Sequence, residues 1–305
     1  MTPLQMTRRG AILASAAPFL AAGANLPFEL SVEAYIFMQY AQSLKRPLSG
    51  VLDEVFPMAR AAGFRNIELN QAFFVPAIKD RVLKLLHEQS LRMPSVYVGG
   101  PVHEKEGADR TIAQALEIGR LCQTFGCKAV VNNPDPKPKD EPKTDGELAV
   151  EAKSLNRMGR ALSEAGLALR IHHHTPQLEN NAREWRFILK NTDPELVGIC
   201  VDADWAYQGG FDPLAFLQDV GRRLQEIHVR SSKNKLWLED LEDSDIDYYK
   251  IAAYVRQQHL HPLIVVELAY RPATPITRPL AEDLRISRLY AERVFGIAPN
   301  ASSVH

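Results

Sequence analysis

The feature that most constrains the fold is a repeated alternation of short apolar runs with longer segments of helical period. The apolar runs span residues 28–37, 65–69, 93–98, 128–132, 168–172, 197–202, 226–229 and 263–268. The helical patterns span residues 47–62, 76–90, 107–125, 145–165, 182–190, 212–223, 246–258 and 278–295. Strands that are separated by helices pair in parallel through crossover connections. Eight such units predict an α/β chain with a single closed (β/α)8 TIM barrel.

An open, doubly wound sheet is the alternative architecture. Such a sheet normally carries a Gly-rich phosphate-binding loop after its first strand, and the sequence contains neither GxGxxG nor a GxxxxGK loop. The chain has 305 residues, of which 46% are hydrophobic, so it is long and apolar enough to bury the core of a full barrel.

The N-terminus predicts an export signal over residues 1–24. Arg8 and Arg9 precede an apolar stretch from Ala11 to Ala22, and this order is typical of the twin-arginine route. An uncleaved anchor is the alternative, but the stretch is shorter than the roughly 20 residues that a membrane-spanning helix needs. We therefore expect a periplasmic or exported protein, with the barrel in residues 25–305 and no stable membrane insertion once the signal is removed.

The net charge argues against a nucleic-acid partner, and the cysteine content argues against a disulfide framework. The formal net charge of −1, without a long basic run, removes the electrostatic reason to expect a nucleic acid. A small molecule is the better candidate ligand, and the sequence indicates no oligomeric state. Three irregularly spaced cysteines do not form a disulfide framework, and none has a CxxC metal-binding spacing.

Polar side chains cluster where the predicted strands end. In a TIM barrel the active site collects side chains from the C-terminal ends of different strands. The polar residues at these ends are Glu68, Asn70, Asn132, Asn133, His172, His174, Asp202, Asp204, His228, Arg230 and Glu267. The chain therefore has an unusually polar active face for a barrel.

The segment LRIHHHTP places three consecutive histidines at the end of the fifth strand. Because strand side chains alternate between faces, His172 and His174 share one face and His173 points to the other. A merely polar loop is an equally good interpretation of the triplet alone. Convergence with Asp202, His228 and Glu267 favours a divalent metal site, suited to Mn, Mg, Co or Zn.

Other polar and aromatic residues on this face are candidates for substrate contact. Arg230 and Lys233 could neutralise an acidic group, and aromatic rings suit stacking on a sugar. The candidate substrate contacts are Asn132, Arg230, Lys233, Trp205 and Trp237. Ordinary packing or solvation is the alternative for each. The proline-rich segment 134–143 follows the fourth strand and is either a rim of the site or a solvated connector.

These residues together resemble a known family, the xylose-isomerase-like barrels that include sugar phosphate isomerases/epimerases and endonuclease IV relatives. The resemblance covers nearly everything after residue 28. It rests on GFRNIEL at 63–69, IHHH at 171–174, VGICVDADWAYQGGFDP at 197–213, IHVR at 227–230, SDIDYYKI at 244–251 and VVEL at 265–268.

The resemblance implies one divalent metal ion held by the fifth to eighth strands. Its ligands fall on His172, Asp202, His228 and Glu267, with His172 standing where many relatives have a glutamate. The chain thus resembles a histidine-bearing branch of the family. His174 is then a pocket residue and His173 a structural bystander.

The implied chemistry is proton abstraction next to a metal-polarised oxygen. A metal-bound imidazole has no free lone pair to accept a proton, so a reaction with one base is favoured over a two-base epimerisation. The catalytic candidates are Glu267, which can be ligand and base together, His174 and Glu68. We expect an isomerase or lyase acting on an unphosphorylated sugar, glycoside or keto-glycoside, for example by elimination from a 3-keto-glycoside. The alternatives are a keto-sugar epimerase and a non-catalytic sugar-binding barrel.

Overall fold

Eight parallel strands form a closed barrel in the computed structural model, which describes residues 28–298. The barrel strands are β1 (Leu30–Glu33), β2 (Ile67–Asn70), β3 (Ser95–Tyr97), β4 (Ala129–Asn132), β5 (Ala168–Ile171), β6 (Val197–Asp202), β7 (Leu224–Val229) and β10 (Leu263–Val266). β1 closes the barrel by pairing with β10 on one side and with β2 on the other. The predicted α/β class and (β/α)8 barrel are confirmed.

The helices surround the barrel in the expected alternation. They are α1 (Tyr35–Ser43), α2 (Leu52–Ala61), α3 (Lys79–Glu88), α4 (Lys105–Cys122), α5 (Asp145–Glu164), α6 (Thr175–Asn191), α7 (Ala203–Gln208), α8 (Pro213–Val220), α9 (Tyr248–Gln257) and α10 (Leu280–Phe295). Each long helix turns an apolar face toward the sheet, as its 3.6-residue period requires.

Burial explains why the strands read as apolar runs. Every residue of β4, β6 and β10 is buried, because the barrel interior covers one face of each strand and the helices cover the other. Polar residues within such strands, such as Glu226 in β7, therefore lie inside the protein. Their charges must be compensated there.

Three local elements differ from the sequence prediction. The first strand ends at Glu33 instead of Phe37, and residues 35–43 form α1. A short helix, α7, begins directly after Asp202. An antiparallel hairpin of β8 (Ser232–Lys233) and β9 (Leu236–Trp237) follows the seventh barrel strand. These elements span too few residues to show a clear periodicity in the sequence. Tertiary contacts determine their conformation.

The proline-rich segment is fixed to the barrel at both ends. Pro134 pairs with Gly100 in a parallel bridge that continues the β3–β4 pairing. At the other end, the buried Lys143 ammonium lies 2.5 Å from Glu151 of α5 and 2.8 Å from Glu184 of α6. Burial of this ion pair holds the segment against the helices beside the active face.

The predicted export signal, residues 1–24, lies outside the described residues. Within residues 28–298, no helix has both the length and the hydropathy needed to cross a membrane.

Candidate active site

The four predicted ligands converge at the C-terminal end of the barrel. His172 follows β5, Asp202 ends β6, His228 lies in β7 and Glu267 follows β10. One donor atom from each lies within 4.8 Å of the others, and all four residues are buried. Two imidazoles and two carboxylates at this spacing form a donor set that a divalent ion accepts.

A buried donor atom without a partner supports the fit to a metal ion. His172 Nε2 has no hydrogen-bond partner among the described residues and lies 3.9 Å from Asp202 Oδ2. Burial first, and then the charges of His228 and His174, lower the pKa of His172 well below its usual range, so the ring is neutral and keeps a lone pair. A neutral imidazole nitrogen that faces a carboxylate in a buried cluster suits coordination.

Asp202 is held in place by the helix that it starts. It is the N-cap of α7, and its Oδ1 accepts a hydrogen bond of 2.8 Å from the Trp205 backbone N–H. This interaction leaves Oδ2 directed at the cluster. The same cap explains why α7 begins at this strand end, since aspartate is among the preferred N-cap residues.

Arg230 is buried among the carboxylates of the cluster. Its Nη2 donates to Glu267 Oε1 over 2.5 Å and to Asp202 Oδ2 over 3.3 Å, and its Nε donates to the Glu267 backbone carbonyl over 3.1 Å. Burial alone would raise the pKa of Glu267, but the Arg230 charge and the contact with His228 outweigh it and lower this pKa to about 2. Glu267 therefore uses one carboxylate oxygen for Arg230 and has Oε2 left, 2.7 Å from His228 Nδ1.

A second layer of charges lies beneath His228. Glu226 Oε1 lies 3.2 Å from His228 Nε2, and the other Glu226 oxygen pairs with Arg170. A carboxylate on the distal nitrogen of a metal-binding histidine fixes the tautomer and orientation of the ring. Glu226 thus leaves Nδ1 of His228 for the cluster above.

Glu68 belongs to this lower layer. It is fully buried, accepts a hydrogen bond from Ser95 and lies 3.2 Å from His228 Nε2. Burial and then the Glu226 charge raise the pKa of Glu68 to about 7. It is not among the described residues that line the cavity, so the structure does not bring this candidate base to the substrate side of the cluster.

A cavity of about 470 Å³ opens above the cluster. Glu267 and Arg230 belong to its lining. Four aromatic residues also contribute to the lining, namely Tyr35, Tyr97, Trp205 and Trp237. A cavity with flat aromatic walls and a few polar groups has the character of a small-molecule site.

His174 lines this cavity beside the predicted ligands. Its ring centroid lies 4.9 Å from that of His172 and 5.0 Å from that of Trp205. Burial is the main cause that lowers the pKa of His174, to about 4, so its imidazole is neutral near pH 7.

His173 points away from the cavity into the helix layer. Its ring packs against Trp185 at 4.7 Å and Phe216 at 4.9 Å between centroids. Neither ring nitrogen has a partner among the described residues. The alternation along the strand thus turns His173 out of the cavity, although its ring still stacks on that of His172 at 5.7 Å between centroids.

Two predicted substrate contacts lie elsewhere. Lys233 is exposed on β8 and is not among the described lining residues of the cavity. Asn132 is fully buried at the end of β4, where its Nδ2 donates to the Val98 carbonyl over 2.6 Å. The other three, Arg230, Trp205 and Trp237, line the cavity.

Sequence reasoning missed several polar residues of this region, among them Gln71 of the cavity lining. Glu33 and Tyr97 line the cavity at the ends of β1 and β3, and Arg170 and Glu226 lie beneath it. The available signal was the two-residue spacing inside otherwise apolar strands, since Arg170 precedes His172 and Glu226 precedes His228 on the same strand face.

Comparison with known proteins agrees with this architecture. A family described as "Xylose isomerase-like TIM barrel" matches residues 56–290. The chain belongs to the xylose isomerase-like TIM barrel family. The resemblance predicted from the sequence is therefore confirmed.

Curated relatives of this family member include enzymes named inosose dehydratase. The inosose dehydratase of Geobacillus kaustophilus is 22% identical over 210 residues, which cover 64% of this chain and 67% of the relative. The inosose dehydratase of Bacillus velezensis is 24% identical over 182 residues, or 56% of this chain and 60% of the relative. The matches thus span about three fifths to two thirds of these enzymes.

Solved structures share the fold at low identity. A sugar phosphate isomerase/epimerase from Parabacteroides distasonis has a TM-score of 0.68 at 17% identity, covering 94% of this chain and 100% of that one. The 3-keto-D-glucoside 4-epimerase of E. coli has a TM-score of 0.64 at 17% identity, covering 87% and 99%. A Mycobacterium smegmatis barrel in complex with magnesium has a TM-score of 0.66 at 13% identity, covering 88% and 96%. With the curated relatives, they support an enzyme of isomerase, epimerase or lyase type.

Proposed function

We propose that the chain is a divalent-metal-dependent isomerase or lyase that acts on an unphosphorylated sugar, glycoside or keto-glycoside. The observation that carries the proposal is the convergence of His172, Asp202, His228 and Glu267 beside the aromatic-walled cavity. The names of the curated relatives, inosose dehydratases, support a reaction on a keto-sugar-like ring.

The four converging residues would hold the ion. The chemistry that a divalent ion supplies when bound is polarisation of a substrate carbonyl or hydroxyl oxygen, which acidifies the neighbouring C–H bond. Arg230 compensates part of the carboxylate charge and fixes Glu267 through one oxygen. Trp205 offers an aromatic surface against which a sugar ring can pack, whereas the Trp237 ring is already covered by the Arg230 guanidinium, 4.1 Å from its centroid.

His174 is the proposed base. It lines the cavity, lies outside the ligand set and has a neutral imidazole that can accept the proton from the carbon next to the carbonyl. Glu267 is a weaker candidate for this role than the sequence suggested, because Arg230 binds the oxygen that is not directed at His228.

Glu33 is the proposed acid for an elimination. Burial, followed by the charges of Glu267 and Glu68, raises the pKa of Glu33 well above its usual range, which favours the protonated carboxyl. In this scheme His174 takes the proton, the bond from the β-carbon to its oxygen substituent breaks, and Glu33 protonates the departing oxygen.

A keto-sugar epimerase is the second candidate. Its support is that His174 and Glu33 both line the cavity, so a proton removed by one group could be returned by the other. The shared fold with a 3-keto-D-glucoside 4-epimerase is consistent with this alternative. A sugar-binding barrel without catalysis is the third.

Isotope exchange tests the proposal and separates the candidates. Protein stripped of metal, and the same protein reloaded with Mn²⁺, would be incubated in deuterated water with an inosose, a 3-keto-glucoside and an unoxidised glucoside. We expect deuterium at the carbon next to the ketone only with reloaded protein. Loss of water or of the aglycone identifies a lyase, and inversion without loss identifies an epimerase. No exchange with any substrate, in protein that binds no metal, would contradict the proposal.

We further propose that the chain is exported. The support is the Arg8-Arg9 pair followed by the apolar stretch Ala11 to Ala22. Replacing both arginines by lysine should retain the protein in the cytoplasmic fraction of cells that export the original chain. Equal export of both forms would contradict this assignment.

A further inference from the structure

A second guanidinium group packs on Trp237 of the aromatic wall, although Arg271 is not itself among the described residues that line the cavity. Arg271 lies five residues after the end of β10 and stacks over Trp237, with its central guanidinium carbon 4.1 Å from the ring centroid. The same carbon lies 5.9 Å from the Trp205 centroid. Arg230 stacks over the same Trp237 ring, also at 4.1 Å. One indole of the wall is therefore shared by two positive charges.

The two arginines differ in how their charges are compensated. Arg230 is paired with both Asp202 and Glu267. The Arg271 guanidinium has neither a hydrogen bond nor an ion pair with any residue that the structure describes, although the side chain is half-buried. Partial burial is the main cause that lowers the pKa of Arg271. The charge of Asp204 offsets part of this effect, but no carboxylate among the described residues pairs directly with the guanidinium.

The backbone and ring around Arg271 are held before any ligand arrives. Gln39 forms two hydrogen bonds with the Tyr270 backbone, of 2.9 and 2.7 Å, and the Arg271 N–H donates to Thr274 Oγ1 over 3.0 Å. Trp237 is fixed in turn, since its Nε1–H donates to the buried Asp204 over 2.9 Å. Because this backbone segment and the indole ring are already held, they lose little conformational entropy when a ligand binds.

We infer that Arg271 and Trp237 form a subsite for a carboxylate-bearing sugar unit, such as a uronic acid. The sugar ring lies in the cavity that Trp237 lines, and its carboxylate pairs with the Arg271 guanidinium that packs on this wall. Two N–H groups of one guanidinium match the two oxygens of a carboxylate. This inference rests on the proposed function, because it names the class of sugar that the same cavity accepts.

Binding measurements test the subsite without requiring turnover. Methyl β-glucuronide, methyl β-glucoside and glucose 6-phosphate would be titrated into wild-type protein, Arg271→Gln and the control Arg222→Gln, with calorimetry as readout. Arg222 is an exposed arginine beside the start of β7, at the opposite end of the barrel from the cavity. We expect wild type and the control to bind the glucuronide more tightly than the glucoside. Arg271→Gln should weaken glucuronide binding by roughly 10- to 100-fold and leave glucoside binding unchanged.

Three results would overturn the inference. The first is equal binding of glucuronide and glucoside by wild type, which includes no binding of either. The second is an unchanged glucuronide affinity in Arg271→Gln, and the third is tighter binding of glucose 6-phosphate than of the glucuronide. Deuterium exchange on an uncharged keto-glucoside reports separately on the proposed function. If Arg271→Gln keeps this exchange and wild type shows no preference for the glucuronide, the subsite is rejected and the proposed function stands.

Discussion

Arg230 donates from Nη2 to Glu267 Oε1 over 2.5 Å, and Glu267 Oε2 lies 2.7 Å from His228 Nδ1. Each oxygen of this carboxylate thus has a separate partner. The guanidinium takes one oxygen, and the other remains directed into the cluster as a single ligand atom. Arg230 therefore compensates the negative charge of the buried carboxylates when no metal is bound.

Arg230→Met should destabilise the metal-free protein strongly. Removing one partner from a buried ion pair costs about 3–5 kcal/mol, because the remaining charges are left uncompensated. Mn²⁺ should restore more stability to this variant than it adds to wild type, since the ion replaces the lost positive charge. Denaturant unfolding with EDTA and with Mn²⁺ measures both effects. Equal metal-induced stabilisation in the two proteins would show that Arg230 does not compensate these carboxylates.

Glu226→Gln should weaken metal binding although Glu226 is not a proposed ligand. The substitution removes the carboxylate that orients His228 through Nε2, and loss of such a partner typically costs about 10- to 100-fold in metal affinity. Calorimetric titration with Mn²⁺ or Zn²⁺ gives the affinity directly. Unchanged affinity would mean that His228 is positioned without Glu226.

A double variant controls for the charge that Glu226→Gln leaves behind. Glu226 also pairs with Arg170, so the single variant strands a largely buried guanidinium. Glu226→Gln combined with Arg170→Met should recover stability in denaturant unfolding but not metal affinity. Recovery of both would assign the loss to the stranded charge instead of the orientation of His228.

His174→Ala should keep the metal and lose most of the rate. The residue lines the cavity outside the ligand set, and removal of a general base typically lowers turnover by about 10²–10⁴-fold. Metal content and the deuterium exchange rate would be measured together on this variant and on His173→Leu, whose side chain points away from the cavity. If the His173 variant loses the rate and the His174 variant keeps it, the strand register behind the proposed site is wrong.

His173→Leu should make stability less sensitive to acid. Burial, followed by the charges of His174 and His228, lowers the pKa of His173 to about 3, whereas the unfolded chain has a histidine pKa of about 6.5. The unfolded state therefore binds more protons between these values, and stability falls as pH falls through this window. At pH 5 the cost is about 2 kcal/mol relative to pH 7. The leucine variant should show a correspondingly smaller loss of unfolding free energy, and an equal loss would place the acid sensitivity elsewhere.

The barrel could be predicted from the sequence because its signals are long and repeated. Buried parallel strands read as apolar runs, and the helices between them keep a 3.6-residue period. The separation of His173 from His172 and His174 followed from strand alternation in the same way. The structure places the side chains of these three histidines as that alternation requires.

The missed parts depend on strand ends and on contacts between distant strands. The first apolar run continues into α1, so the prediction placed the strand end at Phe37 and passed over Glu33. Ion pairing decides the role of Glu267, and the partner that occupies its Oε1 is visible only in three dimensions. Glu68 was expected at the cavity, but its position one layer deeper follows from the barrel stagger.

The most direct measurement is the metal content of purified wild type, Asp202→Asn and Asp212→Asn after loading with Mn²⁺ and removal of excess ion. Both aspartates are helix N-caps, since Asp212 Oδ1 accepts from the Ala215 N–H over 2.7 Å at the start of α8. Both substitutions keep an oxygen for the cap. We predict about one ion per chain in wild type and Asp212→Asn, and a large loss of metal and of deuterium exchange in Asp202→Asn. Wild type without bound metal, or Asp202→Asn with a full complement, would contradict the account.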